Sequence, residues 1–403
     1  MKKILSILLF LALLLPMACL AEAAHVSEIT VPVIEKMKQF VIPDNEALSF
    51  VRDMKTGWNL GNTFDATHNG WYKGDELGIE TIWCNAKTTR ELITAVKEAG
   101  FNTIRIPVSW HHHVDENDII SDVWMDRIKE VAGWALDEGM YVIVNIHHDN
   151  EKEYFYPDSE HYERSAAYLT AIWRQMAEAF ADFDEHLILE SMNEPRLKDT
   201  IWEWSYNETS LEIKDSVECI NKLNQLFVDT VRAAGGNNAS RYLMIPGYTA
   251  SPYAALSELF HIPSDTAENR IIISVHAYTP YDFALNTAMG SATEFDLDSG
   301  DWVKSEIGTF MNSLYNKYIS NGIPVVIDEY GALNKHGNLQ DRVNFAAFYT
   351  CAASARGMTC CWWDNHNFTG NGEQFGLIDR KKVEWKYPEI VEAIMANCLY
   401  NRK

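Results

Sequence analysis

Polar side chains that can do chemistry follow a series of short apolar segments in this chain. The pattern occurs in the segments TIRIP, VIVNIHHDN, LILESMNEP, IISVHAY, VVIDEYG and CCWWDN. The polar or aromatic residues at the ends of these segments are Arg105, His147, His148, Asn193, Glu194, His276, Tyr278, Glu329 and Trp363. A buried charge is costly unless it is paired. Polar residues at this many strand ends would therefore be a poor way to stabilise a fold. The pattern therefore indicates a functional site.

Two of these residues are glutamates, and a pair of carboxyl groups can act as acid and base. Glu194 lies near the end of LILESMNEP and Glu329 near the end of VVIDEYG, which are the fourth and the seventh of the eight strands predicted below. In an eight-stranded barrel these two strands face each other across the mouth. Hydrolysis of a glycosidic bond needs one carboxyl to protonate the leaving oxygen and a second to attack the anomeric carbon or activate water. A separation near ~5 Å makes the second carboxylate a nucleophile. The alternative is a structural ion pair between one glutamate and Arg105.

The elements that position these residues alternate between amphipathic helices and apolar strands. A helical pattern ends before an apolar run at four glycines, namely Gly100, Gly139, Gly322 and Gly357. Glycine after a helix adopts the left-handed conformation that ends it, and a continuous apolar run is typical of a buried parallel strand. Further apolar runs lie at 57–63, 187–195, 242–247 and 271–278. About eight strands, roughly 40 residues apart, predict an α/β fold, a single-domain (β/α)8 TIM barrel.

A doubly wound open sheet is the competing architecture. Such a sheet normally has a glycine-rich phosphate loop after an early strand, and GNTFDATHNG lacks the GxGxxG spacing. No linker of biased composition divides the chain. We therefore expect one catalytic domain over 51–403, preceded by an arm over 24–50 that packs on the barrel.

Composition and charge restrict the partners of this protein. The chain has 403 residues, with 34 Lys and Arg against 57 Asp and Glu, and a formal net charge of −23. Such an acidic surface repels nucleic acid and anionic membranes. Aromatic residues make up 12% of the chain and include 13 Trp, which suits a groove for sugars or peptides.

The first residues have the pattern of an export signal, which we assign to 1–23. Two lysines precede an apolar run over 4–15, and small residues around 18–24 predict cleavage after Ala23. No later stretch approaches the ~20 apolar residues of a transmembrane helix. The protein is thus expected to be secreted or periplasmic. A competing processing site at Cys19, a poor lipoprotein box because Pro16 stands three residues before it, would anchor the chain to the cell surface through lipid.

The cysteines that follow Cys19 have no CxxC spacing, so neither a zinc knuckle nor a redox pair is indicated. Cys360 and Cys361 are adjacent within an apolar run. We expect two thiols packed on opposite faces of one strand.

Seven motifs in the order GWNLGNTFDA, IRIPVSW, NIHHDN, ESMNEPR, VHAYTPYDF, IDEYGA and WWDN resemble glycoside hydrolase family 5. The chain is most similar to the endoglucanases and xyloglucanases of subfamily 4, over residues 56–394. The resemblance implies Glu194 as general acid/base and Glu329 as nucleophile. It also implies a retaining mechanism on β-1,4-linked glucans such as cellulose, mixed-linkage glucan and xyloglucan, with no cofactor and no metal.

The other matching positions have expected roles around these two carboxyls. Arg105 and Tyr278 favour the ionised form of Glu329. By the resemblance, Asn193 holds the 2-hydroxyl of the sugar that is cleaved. The indole of Trp363 forms a platform under that sugar, whereas Trp362, on the opposite side of the strand, is expected in the core.

Several further positions carry weaker expectations. His148 and His276 would position the sugar or the acid, whereas His147 fits a packed barrel histidine equally well. Asn62 and Asp65 match positions that bind the neighbouring sugar in the family. Of the run at 111–113, only His113 matches a cleft position, and its two neighbours are expected to be solvated.

Some residues depart from the family pattern. Asp328 precedes the predicted nucleophile, and strand alternation points it away from Glu329, although its charge could raise the pKa of that residue. Cys84 and Ala86 stand where related chains tend to have glycine and proline, which alters the first loop.

Other functions remain open at this stage. A metal-dependent barrel hydrolase typically has an HxH pair on its first strand, and GWNLGNT offers no ligand there. A non-catalytic polysaccharide-binding protein would be expected to lack one of the two glutamates. An endo-mannanase or xylanase on the same scaffold would differ only in loops, and the sequence does not indicate an oligomeric state.

Overall fold

The apolar runs predicted as strands form one closed sheet in the structure, a computed structural model that describes residues 29–298, 302–370 and 372–402. The sheet is a barrel in which each strand pairs in parallel with the next and the eighth pairs with the first. Its strands are β1 Thr56–Leu60, β2 Thr103–Ile106, β3 Tyr141–Val144, β4 Leu187–Glu190, β5 Leu243–Pro246, β6 Ile271–His276, β7 Val325–Tyr330 and β8 Thr359–Asp364. The predicted (β/α)8 barrel is confirmed.

Helices precede, connect and follow the strands, and most of them cover the outside of the barrel. They are α1 Glu46–Met54, α2 Arg90–Glu98, α3 Asp122–Asp137, α4 Tyr162–Ala179, α5 Leu211–Ala233, α6 Pro252–Leu256, α7 Tyr281–Ala284, α8 Trp302–Lys317, α9 Leu339–Ser354 and α10 Pro388–Asn397. A short antiparallel pair, β9 Ile378–Asp379 and β10 Glu384–Trp385, follows β8. As predicted, Gly100 and Gly139 follow helices with φ of 107° and 69°, values that a side chain would strain.

Helix α1 fills the end of the barrel where the strands begin. The ring of Phe50 stacks on Tyr242 with 3.8 Å between centroids, and Val51 and Met54 are fully buried. These residues pack against the interior side chains Ile143, Ile188, Met244, Ile272, Val326 and Cys361. Residue 51, the predicted start of the catalytic domain, therefore lies inside a helix that belongs to the barrel core.

The segment before α1 lies on the outer helices. The amide of Thr30 donates to the side chain of Gln340 in α9, and the amide of Ile34 donates to Asn397 in α10. The amide of Phe40 donates to the carbonyl of Ala355 at 2.9 Å. The predicted export signal and Cys19 lie outside the described residues.

The cysteines behave as the sequence predicts. All six cysteines of the described part of the chain are free and buried. Cys360 packs toward the surrounding helices and Cys361 into the barrel interior, because successive strand residues face opposite sides. Within the described ranges, none of the helices combines the length and apolar character needed to cross a membrane.

The role of α1 as a plug gives a stability prediction. Phe50→Ala should lower the free energy of unfolding by about 3–5 kcal/mol, since it removes a buried ring and leaves a cavity. Val123→Ala, on the outer face of α3, is the control and should change that free energy by less than about 0.5 kcal/mol. Urea unfolding followed by tryptophan fluorescence measures both. Equal midpoints for the two variants would show that α1 is not part of the core.

Candidate active site

The centre of the site is the guanidinium of Arg105, which β2 places inside the barrel with no exposed surface. Its Nη1 donates to Glu329 Oε1 at 2.7 Å and its Nη2 donates to Asn193 Oδ1 at 2.7 Å. Its Nε donates to Glu190 Oε2 at 2.9 Å. One cation on β2 thus binds side chains from β4, from the loop after β4 and from β7.

The two glutamates predicted as the catalytic pair meet at the mouth of the barrel. Glu329 lies within β7, and Glu194 lies in the loop that follows β4. A carboxylate oxygen of each, together with a ring nitrogen of His276, lies within 4.8 Å of the others. The side chain of Glu194 is 17% exposed and that of Glu329 6%. Both carboxyls therefore border the cleft and remain largely shielded from water.

His276 and Tyr278 hold the two carboxyls from β6. His276 Nδ1 lies 2.8 Å from Glu194 Oε1 and 3.6 Å from Glu329 Oε2. The hydroxyl of Tyr278 donates to Glu329 Oε2 at 3.0 Å. The predicted contacts of Arg105 and Tyr278 with Glu329 are both present.

The pKa directions of the two glutamates and His276 follow from burial and from these contacts. Burial raises the pKa of Glu329, and its negative neighbours Glu194 and Asp328 add to that effect against the cations. Burial also acts on Glu194, but the hydrogen bond and charge of His276 outweigh it and lower the pKa of Glu194. The carboxylates around His276 raise its pKa well above the usual value, despite its burial. These directions place a proton on His276, whose Nδ1 lies 2.8 Å from the ionised carboxylate of Glu194.

Comparison with known proteins assigns this constellation to a family. Residues 65–369 match the family model described as cellulase (glycosyl hydrolase family 5). The chain belongs to glycoside hydrolase family 5. It is therefore a glycoside hydrolase of the cellulase type, as the motifs predict.

Individual relatives agree with that assignment. Endoglucanase 1 of Ruminococcus albus is 41% identical over 366 residues, 90% of this chain and 84% of that protein. A family 5 lichenase from Caldicellulosiruptor sp. F32 is 54% identical, with a TM-score of 0.90 over 92% of this chain and 99% of that one. A GH5-4 broad specificity endoglucanase from Ruminococcus champanellensis with bound cellotriose is 40% identical, with a TM-score of 0.80 over 88% of this chain and 99% of that one. The predicted resemblance to subfamily 4 endoglucanases is confirmed.

Aromatic side chains line the cleft of this family 5 enzyme beside the carboxyls. Trp363 is nearly buried and lies parallel to the ring of His147, with 5.7 Å between centroids. A Cβ on Gly61 would lie 2.7 Å from the Trp363 ring, so only glycine leaves the indole its place. Trp362 is fully buried and donates to the carbonyl of Phe375, which confirms its predicted core position.

The first loop uses Asp65 as a brace. Its carboxylate accepts the backbone N–H groups of Asn62 at 3.0 Å and Thr63 at 2.6 Å. Burial raises the pKa of Asp65 to about 6, against these hydrogen bonds. Asp65 also lies within 4.8 Å of ring nitrogens of His147 and His148. Its hydrogen bonds therefore fix the loop, and any contact with a sugar stays a prediction.

The histidine run at 111–113 differs from expectation. His113 does not reach the carboxyl pair, because its ring stacks on Trp124 at 3.5 Å and its Nδ1 lies 2.9 Å from Glu76. Burial lowers the pKa of His113 to about 2, so it stays neutral. His111, predicted to be solvated, is instead paired with Asp149 at 2.6 Å. Sequence spacing alone does not show that α3 and the loop from 76 to 81 enclose this run.

The predicted orientation of Asp328 is wrong. Alternation should point it away from Glu329, but the register of β7 shifts against both β6 and β8 at this point. The irregularity brings both carboxylates into the interior. Asp328 Oδ2 lies 3.2 Å from Arg105 Nε and 3.3 Å from His276 Nε2. The negative charge of Asp328 therefore raises the pKa of Glu329, the predicted nucleophile.

Sequence reasoning missed Arg196 and Trp83. Arg196 directly follows the NEP motif, and its Nη1 donates to the carbonyl of Glu194 and lies 3.8 Å from that carboxylate. Its guanidinium covers the ring of Trp204 at 4.2 Å. Trp83 contacts His148, and both residues line a small cavity of about 150 Å³ together with Arg196. The adjacency of Arg196 to Glu194 was a usable signal, whereas the position of Trp83 depends on loop folding.

Metal ligation also has to be considered, because the carboxyls and histidines are close. In the described ranges, three sets could each place three ligand atoms within 4.8 Å: Asp65 with His147 and His148, Glu190 with His276 and Asp328, and Glu194 with His276 and Glu329. Arg105 already lies within 3.2 Å of carboxylates in the last two sets. A further cation there would be repelled. The absence of a metal requirement stays a prediction.

Proposed function

We propose that this protein is a secreted, retaining endo-β-1,4-glucanase that hydrolyses plant cell-wall glucans by double displacement. The observation that carries the proposal is the approach of a Glu194 and a Glu329 oxygen to within 4.8 Å, with the nucleophile bound to Arg105. Retaining enzymes have carboxyls ~5–5.5 Å apart, and inverting enzymes leave ~6.5–9.5 Å for a water. Names of relatives, including endoglucanases and a lichenase solved with cellotetraose, support a β-glucan substrate.

The proposed mechanism assigns one role to each carboxyl. Glu329 attacks the anomeric carbon and forms a glycosyl-enzyme bond, while the proton held by Glu194 and His276 passes to the leaving oxygen. Glu194 then accepts a proton from the water that cleaves the intermediate. Asn193, fixed by Arg105, faces the 2-hydroxyl, and Trp363 covers the sugar face.

An open cleft supports internal cleavage of the polymer. A cavity of about 790 Å³ extends from Leu333 toward residues 286–291. The smaller cavity at Trp83 and Arg196 lies on the side of Glu194, where the leaving group would sit. Cleavable export at 1–23, with lipid attachment at Cys19 as the alternative, would deliver the enzyme to extracellular polysaccharide.

A substrate panel tests the polymer assignment. The enzyme should rapidly lower the viscosity of at least one of carboxymethylcellulose, mixed-linkage β-glucan and xyloglucan without an added cofactor, since internal cuts shorten chains quickly. The measurement is viscosity against reducing ends released. If these glucans were untouched while a mannan or a xylan was cut, the β-glucan assignment would be wrong.

The acid role predicts a substrate-dependent loss in Glu194→Gln. Hydrolysis of the natural glucan should fall by about 10²–10⁴-fold, because general acid catalysis supplies that much for a poor leaving group. An activated aryl glycoside needs little protonation, so its first step should fall far less. Pre-steady-state release of the aryl group measures this, with Glu116→Gln at an exposed position as control. Equal losses for both substrates would contradict the assignment.

Stereochemistry tests the nucleophile. Because two displacements restore the configuration, the first product should be the β-anomer. Proton NMR in the first minutes of hydrolysis reads the anomer before mutarotation mixes the two forms. Early α-anomer would mean inversion and would make Glu329 a general base.

A further inference from the structure

A second pair of carboxyls lies beneath the catalytic pair, and the proposed mechanism does not use it. Glu190 of β4 and Asp328 of β7 have no exposed surface and are joined through the hydroxyl of Ser274 in β6. Both also lie within 3.2 Å of Arg105 Nε. We call Glu190, Ser274 and Asp328 the buried acid group.

The hydrogen count at Ser274 determines the protonation of this group. Ser274 Oγ lies 2.8 Å from Glu190 Oε1, and 2.9 and 3.0 Å from the two oxygens of Asp328. A hydroxyl has a single hydrogen, and an ionised carboxylate can only accept. If both carboxyls were ionised, the Ser274 hydroxyl could donate to only one of them. An oxygen of the other carboxylate would then face the lone pairs of Ser274 Oγ without a hydrogen between them. One of the two carboxyls therefore carries a proton and donates it to Ser274.

The remaining contacts place that proton on Glu190. Asp328 Oδ1 accepts the backbone N–H of Val275 at 3.0 Å, and Oδ2 faces His276 Nε2 at 3.3 Å, so its ionised form is well served. The Glu190 carboxyl contacts the Ser274 hydroxyl through Oε1, Arg105 through Oε2 and the side chain of Asp328, and in its protonated form it can donate to Ser274 or Asp328. The pKa directions agree, since burial and the charge of Asp328 raise the pKa of Glu190 to about 8 against Arg105. The cations His276 and Arg105 hold the pKa of Asp328 below its usual range against burial.

We propose that Glu190 and Asp328 share one proton and together hold a single negative charge. This charge partly neutralises Arg105 and His276 and so limits how strongly they stabilise the ionised form of Glu329. The role of Glu329 in this statement rests on the proposed function. Glu190 and Asp328 are positioning residues, because they act on Glu329 through Arg105 and His276.

The electrostatic surroundings of Glu329 define what a change in this group would do. Arg105 from β2, His276 at the end of β6 and Tyr278 just after it contact the carboxylate, and Asp328 from its own strand adds negative charge. Glu194 after β4 and Glu373 after β8 add negative charge. Removing one negative charge from beneath would favour the ionised nucleophile, so the acid limb of the activity profile would move to lower pH.

If the proton is shared, each single variant keeps the net charge of the buried acid group, whereas the double variant removes it. In Glu190→Gln the charge stays on Asp328. In Asp328→Asn the like charge is gone, so Glu190 ionises against Arg105 and the charge is again one. Each single variant should keep the acid limb of kcat/KM within about 0.3 pH units, whereas the double variant should move it down by about one unit.

Two outcomes of the pH profiles would overturn the proposal. Single-variant shifts that add up to the double-variant shift would mean two independent charges. No shift in a folded double variant would mean that the group does not act on Glu329. Near-ultraviolet circular dichroism establishes folding, and Glu116→Gln controls for removal of an exposed carboxyl.

Infrared spectroscopy tests the proton without any assay of hydrolysis. Wild-type protein at pH 7 should show the C=O stretch of a protonated carboxylic acid that is absent in Glu190→Gln and also in Asp328→Asn. A band unchanged in both variants, or absent from the wild type, would refute the shared proton whatever the catalytic mechanism. Conversely, failure of the anomer or acid tests would leave this band in place, so the two proposals fail separately. Because either single variant suffices, one that does not fold still leaves the test complete.

Discussion

The buried guanidinium of Arg105 is the interaction on which the rest of the site depends. Removing a cation from water costs several kcal/mol, and only partners in good geometry offset that cost. Arg105 has such partners in Glu190, Glu329 and Asn193, from three other places in the barrel. Closure of the sheet into a barrel brings these three side chains to the same level along the barrel axis, around the guanidinium. The site therefore requires the complete barrel, and a local segment could not form it.

The barrel separates stability from chemistry along its axis. Where the strands begin, the interior is apolar and α1 seals it. Toward the other end, the interior side chains become polar, with Asn59, Arg105, Glu190 and Asp328 all fully buried. The apolar half offsets the cost of desolvating the polar half. A low-dielectric wall around the carboxyls in turn strengthens every charge interaction between them.

The balance of charge in the site depends on protons that neighbouring titratable groups share. The carboxyls outnumber the cations, and burial penalises each uncompensated charge. Short contacts let neighbouring groups share protons: His276 lies 2.8 Å from Glu194, and we have proposed one shared proton in the buried acid group. Burial raises the pKa of Glu329, whereas the hydrogen bond and charge of His276 outweigh burial and lower the pKa of Glu194. The pattern belongs to the whole network, and neither glutamate sets it alone.

The sequence by itself determined the barrel and placed Glu194 and Glu329 at or just beyond the ends of apolar strands, because apolar runs, helix-ending glycines and NEP are local signals. It also determined that Trp362 and the adjacent cysteines are buried, since alternation is a property of one strand. Tertiary structure decided the rest. The irregular register of β7 turned Asp328 inward, and α3 placed Trp124 against the ring of His113. Glu190, Arg196 and Trp83 joined the site through contacts between distant segments, and no single segment encodes how strands and loops meet across a closed barrel.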